Sequence, residues 1–505
     1  MGDALKRLFA IDLGASGGKC FAGTFGPDGF AMEEIHRFAH ESVSFFQAGA
    51  DGADAERMFW DDIAIYRHIV EGLHAYRREV SDRLDSIGID TWGADGQLVT
   101  ADGDMLGRVY AYRDHRLDTM VDAVKARLDP ARIYAITGIH FQPFNLSNQL
   151  LWLVLNRPAL IEQAASFLPV PSLFYYYLGG VKIVDSSWAS VSQLMDAATR
   201  EWSGEMLRAL GIPARLMPAI VAPGARVGAL RPALAERVGL NAAPLIASAG
   251  HDTAAAFAAA PVKDPARALI ISSGTWALVG KLVDRPFTTP EALAANLSNE
   301  GGIGNVRLLK NCMGGWLVQE LRRGWRLRDG AELSWGEMEA LTEAAPGFTA
   351  FINPNDLSFY NPADMEQAIL EFCTRTGQPV PSDRGTMMRV IYESLALLYR
   401  QINEQICAVT GTQTDVVHVV GGGCRNGLLN QCIADALGLP VTAGPEDATA
   451  VGNIMVQALG TGLIESLPAA IPLIRGAFPI TDRRPAPKAD WDAAYARFQA
   501  ICIPG

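Results

Sequence analysis

Several features that would place this chain outside a reduced, aqueous compartment are missing. It has seven cysteines, an odd number with no CxxC pair, and Cys20, Cys312, Cys373, Cys407, Cys424, Cys432 and Cys502 are scattered along its 505 residues. This spacing predicts neither a disulfide framework nor a zinc site. No apolar run reaches the ~20 residues that cross a bilayer. The first residues run almost directly into an apolar strand, so no signal peptide is expected. Positive charge is in deficit: the formal net charge is −12, which argues against nucleic acid or an anionic membrane as the main partner. Charged residues make up only 19% against 49% apolar ones, a balance that excludes a disordered chain and fits a well-packed cytoplasmic enzyme. The length exceeds one typical core, and two or three domains are expected.

The most informative stretch is AIDLGASGGKC, residues 10–20. An apolar strand runs into Asp12, then into a turn of small residues, and a second apolar strand follows where a helix might have been expected. Gly14, Ala15, Ser16, Gly17 and Gly18 allow backbone N–H groups to crowd around an anion. Lys19 adds a positive charge, and Asp12 is suited to a hydrated metal beside phosphates. The same stretch also reads as an ordinary glycine hairpin. It does not fit the GxxxxGK[ST] phosphate loop: it is one residue short, and Cys20 replaces the Ser/Thr.

The order of elements reads as α/β. Residues 8–14 and 19–25 predict paired strands. Ile65, Ile69, Leu73 and Tyr76 mark one face of a helix over 61–80, and SIGID at 86–90 a buried strand. Four prolines between 213 and 232 suggest a loop-rich connection. PVKDPA at 261–266 is the candidate boundary between domains 1–260 and 265–505. Past it, RALIISSGTWALVGKLV repeats the opening strand–turn–strand theme, which suggests a duplicated unit. A helix over 391–410 stops at Gly411. DVVHVV then leads into Gly421-Gly422-Gly423 and another helix. That glycine turn suits a nucleotide or simply a tight strand-to-helix connection. Its spacing, GGGxxxG, is not the GxGxxG of a nicotinamide-binding fold.

Gly250-His251-Asp252-Thr253 follows a buried strand and starts a helix. Asp252 is placed either to accept a proton from a hydroxyl attacking a phosphate or to cap the helix. TWGAD at 91–95 and LKNCMGGW at 309–316 set polar groups beside aromatics and glycines, as sugar sites do. Trp92 and Trp316 are equally compatible with the core.

Together these segments, with SAGHDTA, SSGTWAL, FINPND and HVVGGGCRNGLLNQ, resemble the FGGY family of carbohydrate kinases over nearly the whole chain. The resemblance implies two ribonuclease-H-like α/β domains of the actin and hexokinase type flanking an ATP and sugar cleft. It implies ATP and Mg²⁺ as cofactors, with transfer of the γ-phosphate to the 1-hydroxyl of a ketose: L-rhamnulose first, L-fuculose or another ketose as alternatives. By the same resemblance Asp252 is the proton acceptor. Gly93, His251, Thr253 and Asn311 hold the sugar, and Asp95 is added beside Gly93. Ala15, Ser16, Gly17, Gly18 and Lys19 contact phosphates, with Asp12 near the metal, and Thr275, Gln319 and Gly422 contact the nucleotide. The sequence departs from the pattern after TWGAD, where GQLV stands in place of an aromatic and an apolar run, so that Gly96 removes a side chain from the expected pocket. A non-catalytic sugar sensor of actin-like fold is the rival class. Monomer and homodimer both stay open.

Overall fold

The computed structural model describes residues 5–48, 52–486 and 489–502. The chain divides into two units. The first takes the chain up to Pro261, Leu282–Leu308 and Ala448–Ala477; the second takes Val262–Lys281, Leu309–Asp447 and the stretch from Phe478 onward.

In the first unit, strands Lys6–Gly14, Gly17–Gly26 and Gly29–Ala39 form an antiparallel meander. The strand Ser86–Thr91 pairs parallel with the first of these, and Pro244–Ile246 pairs parallel with Ser86–Thr91. Arg226–Ala229 closes the sheet at that edge. Ser86–Thr91 is buried at every residue, as expected of a strand covered on both faces. The helix Asp62–Glu79 lays Ile65, Ile69, Leu73 and Tyr76 into the core, the stripe predicted from their spacing. A second apolar cluster gathers the helices Leu146–Asn156 and Ser186–Val191 around the fully buried Trp188. The proline-rich 213–232 segment is more ordered than a loop-rich connection. It holds strands Ala219–Val221 and Arg226–Ala229, and Pro232 opens a helix to Val238, the one helical position where proline costs nothing.

The helix Asp252–Ala258 owes its run of alanines to a neighbour. It packs on the helix Ala448–Gly460, and a Cβ on Gly452 would fall 1.7 Å from the carbonyl oxygen of Ala255. The later helix also lies against the Lys6–Gly14 and Ser86–Thr91 strands. There Asn453 Nδ2 donates to Asp90 at 2.5 Å and Gln457 Nε2 donates to the carbonyl of Phe9 at 3.1 Å.

The second unit repeats the opening theme. Ala268–Ser273 pairs antiparallel with the following strand across a Gly274-Thr275 turn, and parallel with Val416–Val420. Val441–Ala443 and Thr481–Arg483 extend the sheet. The helix Arg384–Thr410 buries Ile391, Leu395, Leu398, Ile402 and Ile406 and ends at Gly411, whose φ of 71° only glycine adopts freely.

Candidate active site

The hairpin after Asp12 closes at Ala15-Ser16, with Gly14 opposite Gly17. Its glycines answer to close packing more than to backbone angle. A Cβ on Gly17 would meet the carbonyl oxygen of Phe38 at 2.7 Å, and one on Gly18 would meet the Phe38 ring at 2.3 Å. Ser16 is exposed, and Ala15, Gly17 and Lys19 are half-buried. Asp12 lies across the ladder from Lys19 on one side and from Asp90 on the other. Burial, and next the charge of Asp12, push the Asp90 carboxyl well above its ordinary range; Asn453 opposes the shift and Asp252 adds to it.

The Gly250–Thr253 turn is fixed from two sides. Thr91 N–H donates to the carbonyl of Gly250 at 2.9 Å. The buried Asp185 carboxylate accepts from Gly250 N–H at 3.2 Å and from Ser187 N–H at 2.9 Å. A side chain at 250 would collide with Asp185, at 2.1 Å from Cβ. Asp252 is the first residue of its helix, and His251 holds the cap position. Asp252 Oδ1 accepts from Thr253 N–H at 2.5 Å and from Thr253 Oγ1 at 3.1 Å. Its side chain keeps 35% of its surface open. Burial raises its pKa, while the Thr253 hydrogen bonds and the Arg307 charge oppose the shift.

His251 connects Asp252 to a buried ion pair. Arg307 Nη2 donates to His251 Nδ1 at 3.0 Å, and Glu300 Oε2 stands 3.2 Å from Arg307 Nη1. Burial first, and the Arg307 charge second, hold His251 well below its ordinary pKa. Both causes favour the neutral imidazole. Arginine has no acceptor, so Nδ1 accepts and the proton sits on Nε2, 3.4 Å from Asp252 Oδ1. Gly93 completes the group: a Cβ there would lie 2.7 Å from His251 Nε2.

Asp95 is built into a different cluster. Its carboxylate is fully buried, and Oδ2 accepts from Trp60 Nε1 at 2.7 Å, Trp92 Nε1 at 3.0 Å and Tyr112 N–H at 3.3 Å. Burial lifts its pKa to about 6 in spite of those donors. Gly96 does not open a pocket toward this cluster. Its missing side chain would point at the Phe167 ring, 2.4 Å from Cβ, and at the carbonyl of Leu168, 2.5 Å away.

In the second unit, Thr275 Oγ1 donates to Gln319 Oε1 at 3.3 Å. The two meet because Gly315 N–H and Trp316 N–H donate to the carbonyls of Gly274 and Thr275, at 2.8 and 3.1 Å, seating the start of the helix Trp316–Asp329 on the turn. Gly421 and Gly423 abut Ser273, while a Cβ on Gly422 would meet nothing within 4 Å. Gly422 is exposed, so the glycine turn presents open backbone at that residue. Asn311 lies within the strand Val306–Met313, and its Oδ1 is buried without a hydrogen-bond partner.

Models of the N-terminal and C-terminal domains of the FGGY family of carbohydrate kinases match residues 41–258 and 269–461. The chain belongs to that family. It is a sugar kinase, and sugar kinases of this family use ATP. A rhamnulokinase of Bacteroides thetaiotaomicron is 41% identical over 98% of this chain and 99% of its own length. A rhamnulokinase of Pectobacterium atrosepticum is 38% identical over 99% and 97%. The α/β two-domain architecture matches a xylulose kinase from Rhodospirillum rubrum with a TM-score of 0.79 at 18% identity, over 98% of both chains. It also matches a glycerol kinase from Plasmodium falciparum with a TM-score of 0.77 at 15% identity, over 99% of both. Among the described residues no helix is long and apolar enough to cross a membrane.

Sequence reasoning missed Asp90, Asp185, Glu300, Arg307 and His40. The last, whose pKa burial lowers, donates from Nε2 to the carbonyl of Gly14 at 2.8 Å and steadies the hairpin. A charged residue inside an apolar strand, such as Asp90 in SIGID or Arg307 in NVRLL, is the signal that would have found two of them.

Proposed function

We propose that this kinase transfers the γ-phosphate of ATP to the 1-hydroxyl of L-rhamnulose. The reading is carried by the 41% identity to a rhamnulokinase over 98% of this chain. In the first unit Asp252 is the base. The hydroxyl oxygen attacks the γ-phosphorus, the bond from that phosphorus to the β-phosphate oxygen breaks, and the hydroxyl proton passes to Asp252. His251, with its proton on Nε2, orients the sugar, and Gly93 and Thr253 shape the surface beside it. We assign Ala15 to Lys19 to the phosphates and Thr275, Gln319 and Gly422 of the second unit to the nucleotide. Asn311, with an unpaired buried amide oxygen, is assigned to a sugar hydroxyl.

Asp12, across the ladder from Lys19, is assigned to Mg²⁺; a carboxylate oxygen there suits a hard cation that keeps most of its waters. When bound there, Mg²⁺ supplies positive charge against the phosphate oxygens.

A coupled ADP-release assay with Mg-ATP and a panel of L-rhamnulose, L-fuculose, L-xylulose, L-ribulose, D-xylulose and glycerol tests the reading. Preference for L-rhamnulose supports it. Preference for another ketose moves the specificity and leaves the chemistry. ATP turnover that no sugar raises favours a sugar sensor.

A further inference from the structure

The first unit also brings together three side chains of metal-ligating type. His68 and Glu71 lie one turn apart on the helix Asp62–Glu79, and His36 faces them from the strand Gly29–Ala39. One ligand atom from each falls within 4.8 Å of the others, the only such group among the described residues. Glu71 Oε2 is 2.7 Å from His68 Nδ1 and 3.7 Å from His36 Nε2. His36 Nε2 is buried and makes no hydrogen bond, a cost normally avoided unless something else meets the nitrogen.

We propose that His36, His68 and Glu71 form a binding site for one zinc-class transition-metal ion. Two imidazoles and one carboxylate are a zinc donor set. With metal–ligand bonds of about 2.0–2.1 Å in tetrahedral geometry, ligand atoms stand about 3.3 Å apart, between the two separations seen here. The ion replaces the proton in the His68–Glu71 hydrogen bond and takes up the unused His36 nitrogen. Glu71 keeps 47% of its surface exposed, so a water fills the fourth position. The nearest competing charge is Arg67, with Nε 3.8 Å from Glu71 Oε1; it holds the other carboxylate oxygen.

The site is a clamp. It ties the strand to the helix, and it does so beside the hairpin assigned to phosphates. Phe38, two residues after His36, stacks on the His68 ring at 4.6 Å and 13°. The other end of that Phe38 ring is what excludes a side chain from Gly18. Binding stabilises the folded state as ion concentration rises above the dissociation constant.

Titration of the metal-free full chain with ZnCl₂ by calorimetry, in excess Mg²⁺, tests the proposal. The expected result is one equivalent bound at micromolar concentration and a raised melting temperature. His68→Ala and Glu71→Gln should each weaken binding at least ~10-fold, with Mg-ATP turnover unchanged in Glu71→Gln. Co²⁺ substitution should give visible bands of a four-coordinate nitrogen–oxygen site without a thiolate charge-transfer band. Displacement by Mg²⁺, a thiolate band, or undiminished stoichiometric binding in the His68→Ala/Glu71→Gln double variant would overturn it.

Discussion

His251 accepts a hydrogen bond at Nδ1 from a fully buried Arg307, 3.0 Å away. A buried cation thus lies against a histidine ring whose charged form it disfavours. Desolvation and the neighbouring guanidinium both favour the neutral ring, and the donor-only arginine sets the tautomer. Nε2 then carries the proton, 3.4 Å from Asp252 Oδ1, while Glu300 balances the buried charge.

Asp252→Asn should fold and bind ATP, with kcat reduced about 10²–10⁴-fold, the usual worth of a general base. The coupled assay measures it, and near-normal turnover would remove Asp252 from that role.

The same carboxylate gives two pH effects of opposite sign. Its pKa is raised on folding, so activity is present above that value and lost as pH falls through it, at a higher pH than for an unshifted aspartate. Stability behaves inversely: the contribution is full below the unfolded value and lost as pH rises through the folded one. Asp252→Asn, which mimics the protonated form, should melt higher than the parent at neutral pH, and thermal denaturation across pH checks the sign.

Asp95 should be visible in tryptophan emission. It binds both Trp60 and Trp92 and titrates at about 6. Fluorescence is expected to change with a midpoint near pH 6 in the parent and to stay flat in Asp95→Asn. A transition that persists in the variant would assign it to another group.

Gly96→Ala should lower stability by about 1–3 kcal/mol, the cost of overpacking, because its Cβ meets a backbone carbonyl as well as the Phe167 ring. The ratio of kcat/KM for L-rhamnulose to that for L-fuculose should not move. A shifted ratio in a stable variant would return Gly96 to the sugar site.

Gly422→Val tests the nucleotide assignment. Its side chain enters open space, so the melting temperature should hold while KM for ATP rises more than KM for sugar. Equal rises would refute the assignment.

Much of this was legible from local pattern. The Asp62–Glu79 stripe, the hairpin at Ala15-Ser16 and the Gly411 stop each depend on neighbouring residues, and the sequence carries their signals directly. Glu300 and Arg307 were not legible, because a buried ion pair announces itself only when both partners are seen in place. Asp90 and Asn453 are 363 residues apart in sequence, and no local periodicity links them. The glycines of the first hairpin were read for room around an anion; a packing reason that the local sequence does not show is that Gly17 and Gly18 make room for Phe38. Gly96 was read as removing a side chain from the expected pocket; a side chain there would face the Phe167 ring and the Leu168 carbonyl, neighbours that the local sequence does not name.

The contact between Gly452 and Ala255 bears on how the polypeptide is made. The helix that begins at Asp252 is seated on one encoded nearly two hundred residues later, and the sheet behind it is covered by that same late segment. While the ribosome is still translating the middle of the message, the opening half carries an uncovered apolar sheet. A product terminated before Ala448 would lack this covering helix, so early stop codons are expected to yield insoluble or degraded fragments in place of a working half-enzyme.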